Sequence, residues 1–255
     1  MYSRVSSIPY YLSGLFGLRS EDLLLASYPK SGNTWVRFFL CNLISIQEWD
    51  GREVSFPLLD STMPEFGNSN LLRHWPHDTI PRVVKTHKKW WPIFQGVDAI
   101  LLVRDPRDVM TSYYFYKCGK VKSKFNGTFS EFIRDSNVGV PAWARHYQSW
   151  KSRANIFLRF EDLKTDDIYT FQKLSSAINV DVSKSTIKEA VRRSRFEKMK
   201  EVEKKYGVRA DEEHFHEESQ FMRKGRTGDW EEMFSGSDIS YLNNVLEEND
   251  IDIYT

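Results

Sequence analysis

The sequence predicts an α/β fold with a central parallel sheet flanked by helices. Three observations carry that expectation. Short apolar runs alternate with segments of helical periodicity, as in folds whose parallel strands are covered on both faces. One strand-to-helix junction, Tyr28-Pro-Lys-Ser-Gly-Asn-Thr-Trp35, has the make-up of a phosphate-binding turn. At 255 residues the chain is long enough for one such domain with a substantial core. It is therefore read as a single domain, 1–255, with a mobile lid at about 197–222.

The strands are expected at Leu23–Tyr28, Arg82–Lys85, Ala99–Val103 and Asn155–Phe160. Ahead of the first, the weakly apolar segment Tyr10-Tyr11-Leu12 to Leu18 lacks a small-residue cleavage site and is read as part of the fold. Behind it, Val36, Phe39, Leu40, Leu43 and Ile44 recur at helical spacing and form a core-facing stripe. Asp105 and Pro106 make an N-cap and first-turn pair that opens a helix after the third strand. Thr128 and Glu131 form a capping box ahead of a helix at Phe129–Asp135. Further helices are expected over 141–150, which opens with Pro141, and at about 164–178, 184–194 and 238–248. Two stretches show little periodicity: the proline-rich residues 57–80 and the charge-dense residues 197–222. The second reads equally as a lid or as flexible surface.

Composition excludes several classes. The chain is 40% hydrophobic and 28% charged with a formal net charge of +1, so no global field draws it to nucleic acid or an anionic membrane. No run approaches a membrane-spanning length. Cys41 and Cys118 read as two free thiols, which suits a reducing, cytoplasmic setting. His74 and His77 flank Trp75-Pro76, and the proline breaks a helical ligand face. His214-Phe215-His216 has no second ligand pair, so no metal is expected at either.

Four separated motifs carry chemistry. In Lys30-Ser31-Gly32-Asn33-Thr34-Trp35 the glycine permits close backbone approach to a phosphate. Ser31 and Thr34 add hydroxyl donors, Lys30 supplies a charge, and Trp35 can stack a base. Lys85-Thr86-His87 closes the second strand. Alone, His87 would read as a packed or surface residue; beside Lys85 at a strand terminus it becomes a candidate general base. Arg104-Asp105-Pro106-Arg107-Asp108 closes the third strand, with Ser112 eight residues after Arg104. Arg104 offers a bidentate fork for a phosphate and Asp108 reads as structural. Arg223-Lys224-Gly225-Arg226-Thr227-Gly228-Asp229-Trp230 is a basic run broken by two glycines. Taken singly, each has a plainer reading as a turn or a solvated basic loop.

Together, and in this order, the four resemble the motifs of the PAPS-dependent, cytosolic-type sulfotransferase family. That family reads Y-P-K-S-G-T-T-W where this chain has Asn33 for a threonine, K-T-H at 85–87, D-V-x-x-S-Y-Y at 108–114, and R-K-G-x-x-G-D-W at 223–230. The resemblance implies a P-loop-like sulfotransferase fold and transfer of a sulfuryl group from PAPS to a hydroxyl or amine of a small-molecule acceptor, leaving PAP, with no metal. It implies that Lys30, Ser31, Gly32, Asn33 and Thr34 hold the 5′-phosphosulfate. Trp35 and Phe196 would sandwich the adenine and Ser194 would contact it. Arg104, Ser112, Arg223, Lys224 and Gly225 would hold the 3′-phosphate. Phe160 stands where animal members usually carry a tyrosine that bonds the nucleotide. His87 aligns with the catalytic base, and Lys30 and Lys85 would stabilise charge on the sulfuryl group and the departing phosphate.

Two other readings compete. A nucleotide-kinase-like phosphotransferase is disfavoured because no lysine–serine/threonine pair follows the glycine. A non-catalytic nucleotide- or nucleic-acid-binding module would draw on Lys117, Lys120, Lys122, Lys124 and on Arg192, Arg193, Arg195, but the near-zero net charge argues against nucleic acid. The acceptor pocket is open. Trp90, Trp91, Phe94, Tyr113, Phe115, Trp143 and Tyr147 are candidates for it or for core, and the acidic Asp211-Glu212-Glu213 and Glu217-Glu218 would suit a cationic acceptor. The stretch Met233–Asp238 lacks the dimer segment of animal members, so a monomer or a different homodimer is expected. The Arg-Asp-Pro-Arg-Asp form is common in bacterial members and fits small-molecule biosynthesis.

Overall fold

The computed structural model describes residues 8–120, 125–208, 225 and 227–254. In chain order the elements are α1 (Ile8–Gly17), β1 (Leu23–Ser27), α2 (Asn33–Glu48), α3 (Phe56–Thr62), β2 (Val83–Thr86), β3 (Asp98–Val103), α4 (Pro106–Cys118), α5 (Phe129–Arg134), α6 (Val140–Trp150), β4 (Ile156–Arg159), α7 (Phe160–Thr165), α8 (Asp167–Ala177), α9 (Lys184–Ser194), α10 (Phe196–Tyr206) and α11 (Gly236–Glu248). The four strands form one parallel sheet in the order β2-β1-β3-β4.

The pleat divides the core. Leu23, Leu25, Val83, Ile100 and Leu102 face α2, α8 and α9, while Leu24, Ala26, Val84, Ala99, Leu101 and Val103 face Phe66, Phe94 and Trp150 on the other side. This is why Leu23-Leu24-Leu25-Ala26 reads as an unbroken apolar run. The α2 stripe lies wholly inside: Val36, Phe39, Leu40, Leu43 and Ile44 are all fully buried, and Phe39 stacks on Phe171 at 4.0 Å. A third cluster joins α4, α5, α6 and α11 around Val109, Phe132, Trp143 and Leu246. At the base of the sheet, Arg82 forks onto Asp22 at 2.7 and 2.6 Å and also donates to the carbonyls of Gly17 and Leu71, which ties α1 and the loop after it to β2.

Sequence and structure part in four places. Residues 57–80 are not wholly irregular: Ser55 accepts from Leu58 N and Pro57 lies in the first turn, so α3 forms. Residues 197–206 continue the helix α10 that starts at Phe196; its apolar face buries Met199 and Val202. The rest of the expected lid, 209–222, lies outside the described residues. The helix expected over 164–178 is two, because Asp166 is extended and caps α8 by accepting from Tyr169 N at 3.0 Å. Phe160 opens α7 rather than closing β4.

Candidate active site

β1 has β2 on one side and β3 on the other, so successive connections leave in opposite directions and open a crevice at the carboxyl ends of the strands. The three strand-end motifs meet there. They line one cavity of about 800 Å³ that includes Lys30, Gly32, Asn33, Thr34 and Trp35 after β1, Lys85 and His87 at the end of β2, and Arg104 after β3. Ser112 on α4, Phe160 on α7, Phe196 on α10 and Gly225 complete the walls that the motifs predict.

The loop after β1 owes its shape to two residues. Lys30 is left-handed at φ 71°, and Gly32 has φ 100°, with an added Cβ falling 2.5 Å from Phe160 Cδ2. Lys30 O accepts from Arg104 Nη1 at 3.2 Å, and the Lys30 ammonium stands 4.7 Å over the ring of Tyr116. Arg104 in turn lies 4.4 Å over the Phe160 ring and 3.7 Å from Asp108. Asp108 also accepts from Gly228 N at 3.1 Å, and Arg107 sits over Trp230 at 4.5 Å, so the fourth motif is fastened to α4 through these two residues. Gly225, at φ 62°, lies against the Phe196 ring, where an added Cβ would fall 2.1 Å from Cδ2.

The base candidate is held by the neighbouring strand. His87 Nδ1 donates to Ser27 O at 2.7 Å, which fixes the tautomer and leaves Nε2 with the lone pair. Ser27 Oγ accepts from Asn33 Nδ2 at 3.0 Å, so the asparagine that replaces the family's threonine braces the same residue. The following turn is pinned by Trp150 Nε1 donating to Lys88 O at 2.9 Å. Burial and the Lys85 ammonium push the His87 imidazole down to about 4, so the ring is neutral and able to accept a proton at neutral pH. Burial also depresses the Lys85 ammonium, against the pull of Glu65 at 3.0 Å.

Buried polar groups mark what the loop is shaped for. Ser31 Oγ and Trp35 Nε1 have no partner among the described residues, and the Cβ side of Gly32 is taken up by the Phe160 ring. A phosphate over a glycine turn at a helix start is held by the backbone N–H groups of that turn. The residues fit a phosphate-bearing nucleotide. Ser31 itself is fully buried behind the wall. Ser194 is also fully buried, its hydroxyl donating to Val191 O, and it does not line the cavity. Arg223 and Lys224 lie outside the described residues, as do Asp211, Glu212, Glu213, Glu217 and Glu218.

The model of the family described as "Sulfotransferase domain" matches residues 20–252. The chain belongs to the sulfotransferase family. Bovine sulfotransferase 1A1 is 32% identical over 89% of this chain and 84% of its own length, and mouse sulfotransferase 1 family member D1 is 30% identical over 86% and 80%. The fold is that of mouse sulfotransferase SULT7A1 complexed with PAP (TM-score 0.72, 22% identity, 97% of this chain and 91% of the other). It is also that of retinol dehydratase in complex with androsterone and PAP (TM-score 0.73, 20% identity, 96% and 87%). Both of those structures hold PAP. Among the described residues no group of His, Cys, Asp or Glu is arranged to hold a metal ion.

Of the aromatic candidates, Tyr113 lines the cavity of the sulfotransferase. Phe94 and Trp143 are core, Trp91 and Phe115 are exposed on the surface, and Trp90 and Tyr147 are half-buried away from the cavity. Sequence reasoning missed the polar side of this cavity. Glu65 pairs with Lys85, Arg37 donates to Asp60 at 3.1 Å, and Tyr116 lies under Lys30. Tyr116 was legible in principle, one helical turn after Ser112. Glu65 and Asp60 stand in a stretch without periodicity, and nothing local marks them.

Proposed function

We propose that this sulfotransferase moves the sulfuryl group of PAPS onto a hydroxyl or amine of a small-molecule acceptor, with His87 as general base. The carrying observation is the His87–Ser27 contact, which commits Nδ1 as a donor and reserves Nε2 for the acceptor's proton at the mouth of the nucleotide loop. The bound donor supplies the electrophilic sulfur and a phosphate leaving group. Lys30, Asn33 and Thr34 line the wall suited to the phosphosulfate, with Ser31 and Gly32 shaping the turn. Arg104, Ser112 and the segment at Gly225 line the wall suited to the 3′-phosphate. Trp35 and Phe196 offer ring faces for the adenine, a contact worth roughly 1–3 kcal/mol per base. Lys30 and Lys85 place positive charge where negative charge gathers, which favours the transferring state over the ground state.

The small acceptor and a cytoplasmic setting belong to the same reading. Tyr113, Tyr116, Phe56 and Leu59 give part of the cavity an aromatic and apolar lining, both cysteines are free, and no described helix is long and apolar enough to cross a membrane. Screening phenols, alcohols and amines with labelled PAPS tests it. Transfer of label to an acceptor by the wild type, and its loss in His87→Ala with PAP binding retained, is the expected result. Undiminished transfer by His87→Ala removes the histidine from the mechanism.

A further inference from the structure

Lys85 is a buried ammonium on the wall of the cavity, and its surroundings are unusually well fixed. The segment Pro64–Phe66 runs beside β2 as an extra parallel bridge: Lys85 N donates to Pro64 O and Phe66 N donates to Lys85 O, both at 2.9 Å. Glu65 is pinned further by Ser69 Oγ, which accepts from Glu65 N at 3.0 Å, and by Asn68 N and Ser69 N, which donate to Glu65 O. The backbone therefore fixes the register that brings Glu65 Oε2 to 3.0 Å from Lys85 Nζ, with the two side chains only 20% and 13% exposed.

We propose that Glu65 is a positioning residue that keeps Lys85 a cation within the cavity and thereby sets the upper pH limit of turnover. The inference rests on the reading that Lys85 acts on the transferring group. The charged groups facing Lys85 are Glu65 from this segment, Arg37 from α2 and Asp60 from α3, with the neutral imidazole of His87 at the end of its own strand. Burial and Arg37 favour the neutral amine; Glu65 and, more weakly, Asp60 favour the ammonium. Asp60 is already paired with Arg37, so Glu65 is the decisive partner. Burial works to raise the Glu65 carboxyl as well, but Lys85, with Arg37 behind it, holds it below its usual value, and the two side chains meet at 3.0 Å as an ion pair. A neutral Lys85 could offer hydrogen bonds to an anion but no charge, which is the property a departing phosphate needs.

The test is Glu65→Gln, which keeps the shape and removes the charge. With lysines reductively ¹³C-methylated and no nucleotide present, the Lys85 signal, assigned through Lys85→Arg, titrates at lower pH in the variant than in the parent. Turnover of the variant then falls as pH rises through that value, by about tenfold per pH unit, while the parent stays level. The double variant Glu65→Gln/Lys85→Arg carries a cation that does not titrate in this range, and its profile lacks the fall. An unshifted Lys85 titration, or a variant profile parallel to the parent's, overturns the proposal. Lys85→Met separates the two layers: full turnover in that variant overturns the underlying role of Lys85 and the pH limit with it, and the titration alone then decides whether Glu65 holds the charge. Should Glu65→Gln fail to fold, Glu65→Asp withdraws the carboxylate by one methylene and gives the same direction at smaller size.

Discussion

Replacing Gly32 with alanine puts the donor loop under a load that can be worked out atom by atom. The residue sits at φ 100°, outside the region an alanine prefers, which costs roughly 1–2 kcal/mol. Its new methyl would fall 2.5 Å from Phe160 Cδ2, so the ring must retreat by about an ångström. That ring cannot retreat freely. It is buried, Arg104 lies 4.4 Å over its face, and Trp35 meets it edge-on at 5.8 Å. Overpacking of this kind adds about 1–3 kcal/mol, for a total near 3 kcal/mol and a fall in Tm of roughly 6–12 °C. The displaced groups are those proposed to hold the nucleotide, so PAP affinity drops by about tenfold or more, each tenfold being 1.4 kcal/mol. Calorimetric titration with PAP and a thermal melt check both. A Gly32→Ala protein that binds PAP within twofold of the parent at an unchanged Tm refutes the reasoning, because the loop would then not need its glycine.

The other predictions use the same geometry. His87→Ala lowers kcat by about 10²–10⁴-fold and leaves PAP affinity nearly unchanged, as single-turnover and binding measurements will report. His146 is buried, and burial with the nearby His87 pushes its imidazole down to about 3. Its folded value lies below the unfolded one, so the stability it contributes is present above pH 6.5 or so and is lost as pH falls toward its folded value. Thermal melts over that window will show the loss, and His146→Gln will reduce it, the remainder coming from His87, which is depressed in the same sense. Asp22→Ala strips Arg82 of its carboxylate inside the core and costs about 3–5 kcal/mol by denaturant titration, with no direct effect on the cavity. Asp108→Ala frees Gly228 N and one side of Arg104, and weakens PAP binding more than it lowers Tm.

Much of the architecture can be read from local signals. The strands fall within a residue or two of their apolar runs, and the caps at Asp105 and Thr128 form as their sequence patterns require. Three of the four motifs announce the cavity because each places its chemistry at a strand end, where backbone geometry leaves little freedom. The missed features are those decided by distant partners. The break at Asp166 is the exception, a local cap in which Asp166 accepts from Tyr169 N three residues on. The charge-dense run after Arg195 conceals α10, because only Met199 and Val202 reach the core and the remaining faces are solvated. Ser194 aligns with a nucleotide contact yet turns its hydroxyl into its own helix. Glu65 has no motif at all, and its importance appears only when an irregular segment is laid along β2. Sorting aromatics into wall and core likewise needed coordinates, since Tyr113 and Trp143 look alike in composition and differ in where their helices point.

Ser27 receives Asn33 through its hydroxyl and His87 through its carbonyl. The spacing between nucleotide loop and imidazole is therefore inherited from a single residue and is not negotiated between two separately moving parts. Such an arrangement lets the far side of the cavity drift toward new acceptors without retuning the chemistry. Any distortion that reaches Ser27 would disarm both halves of the reaction together.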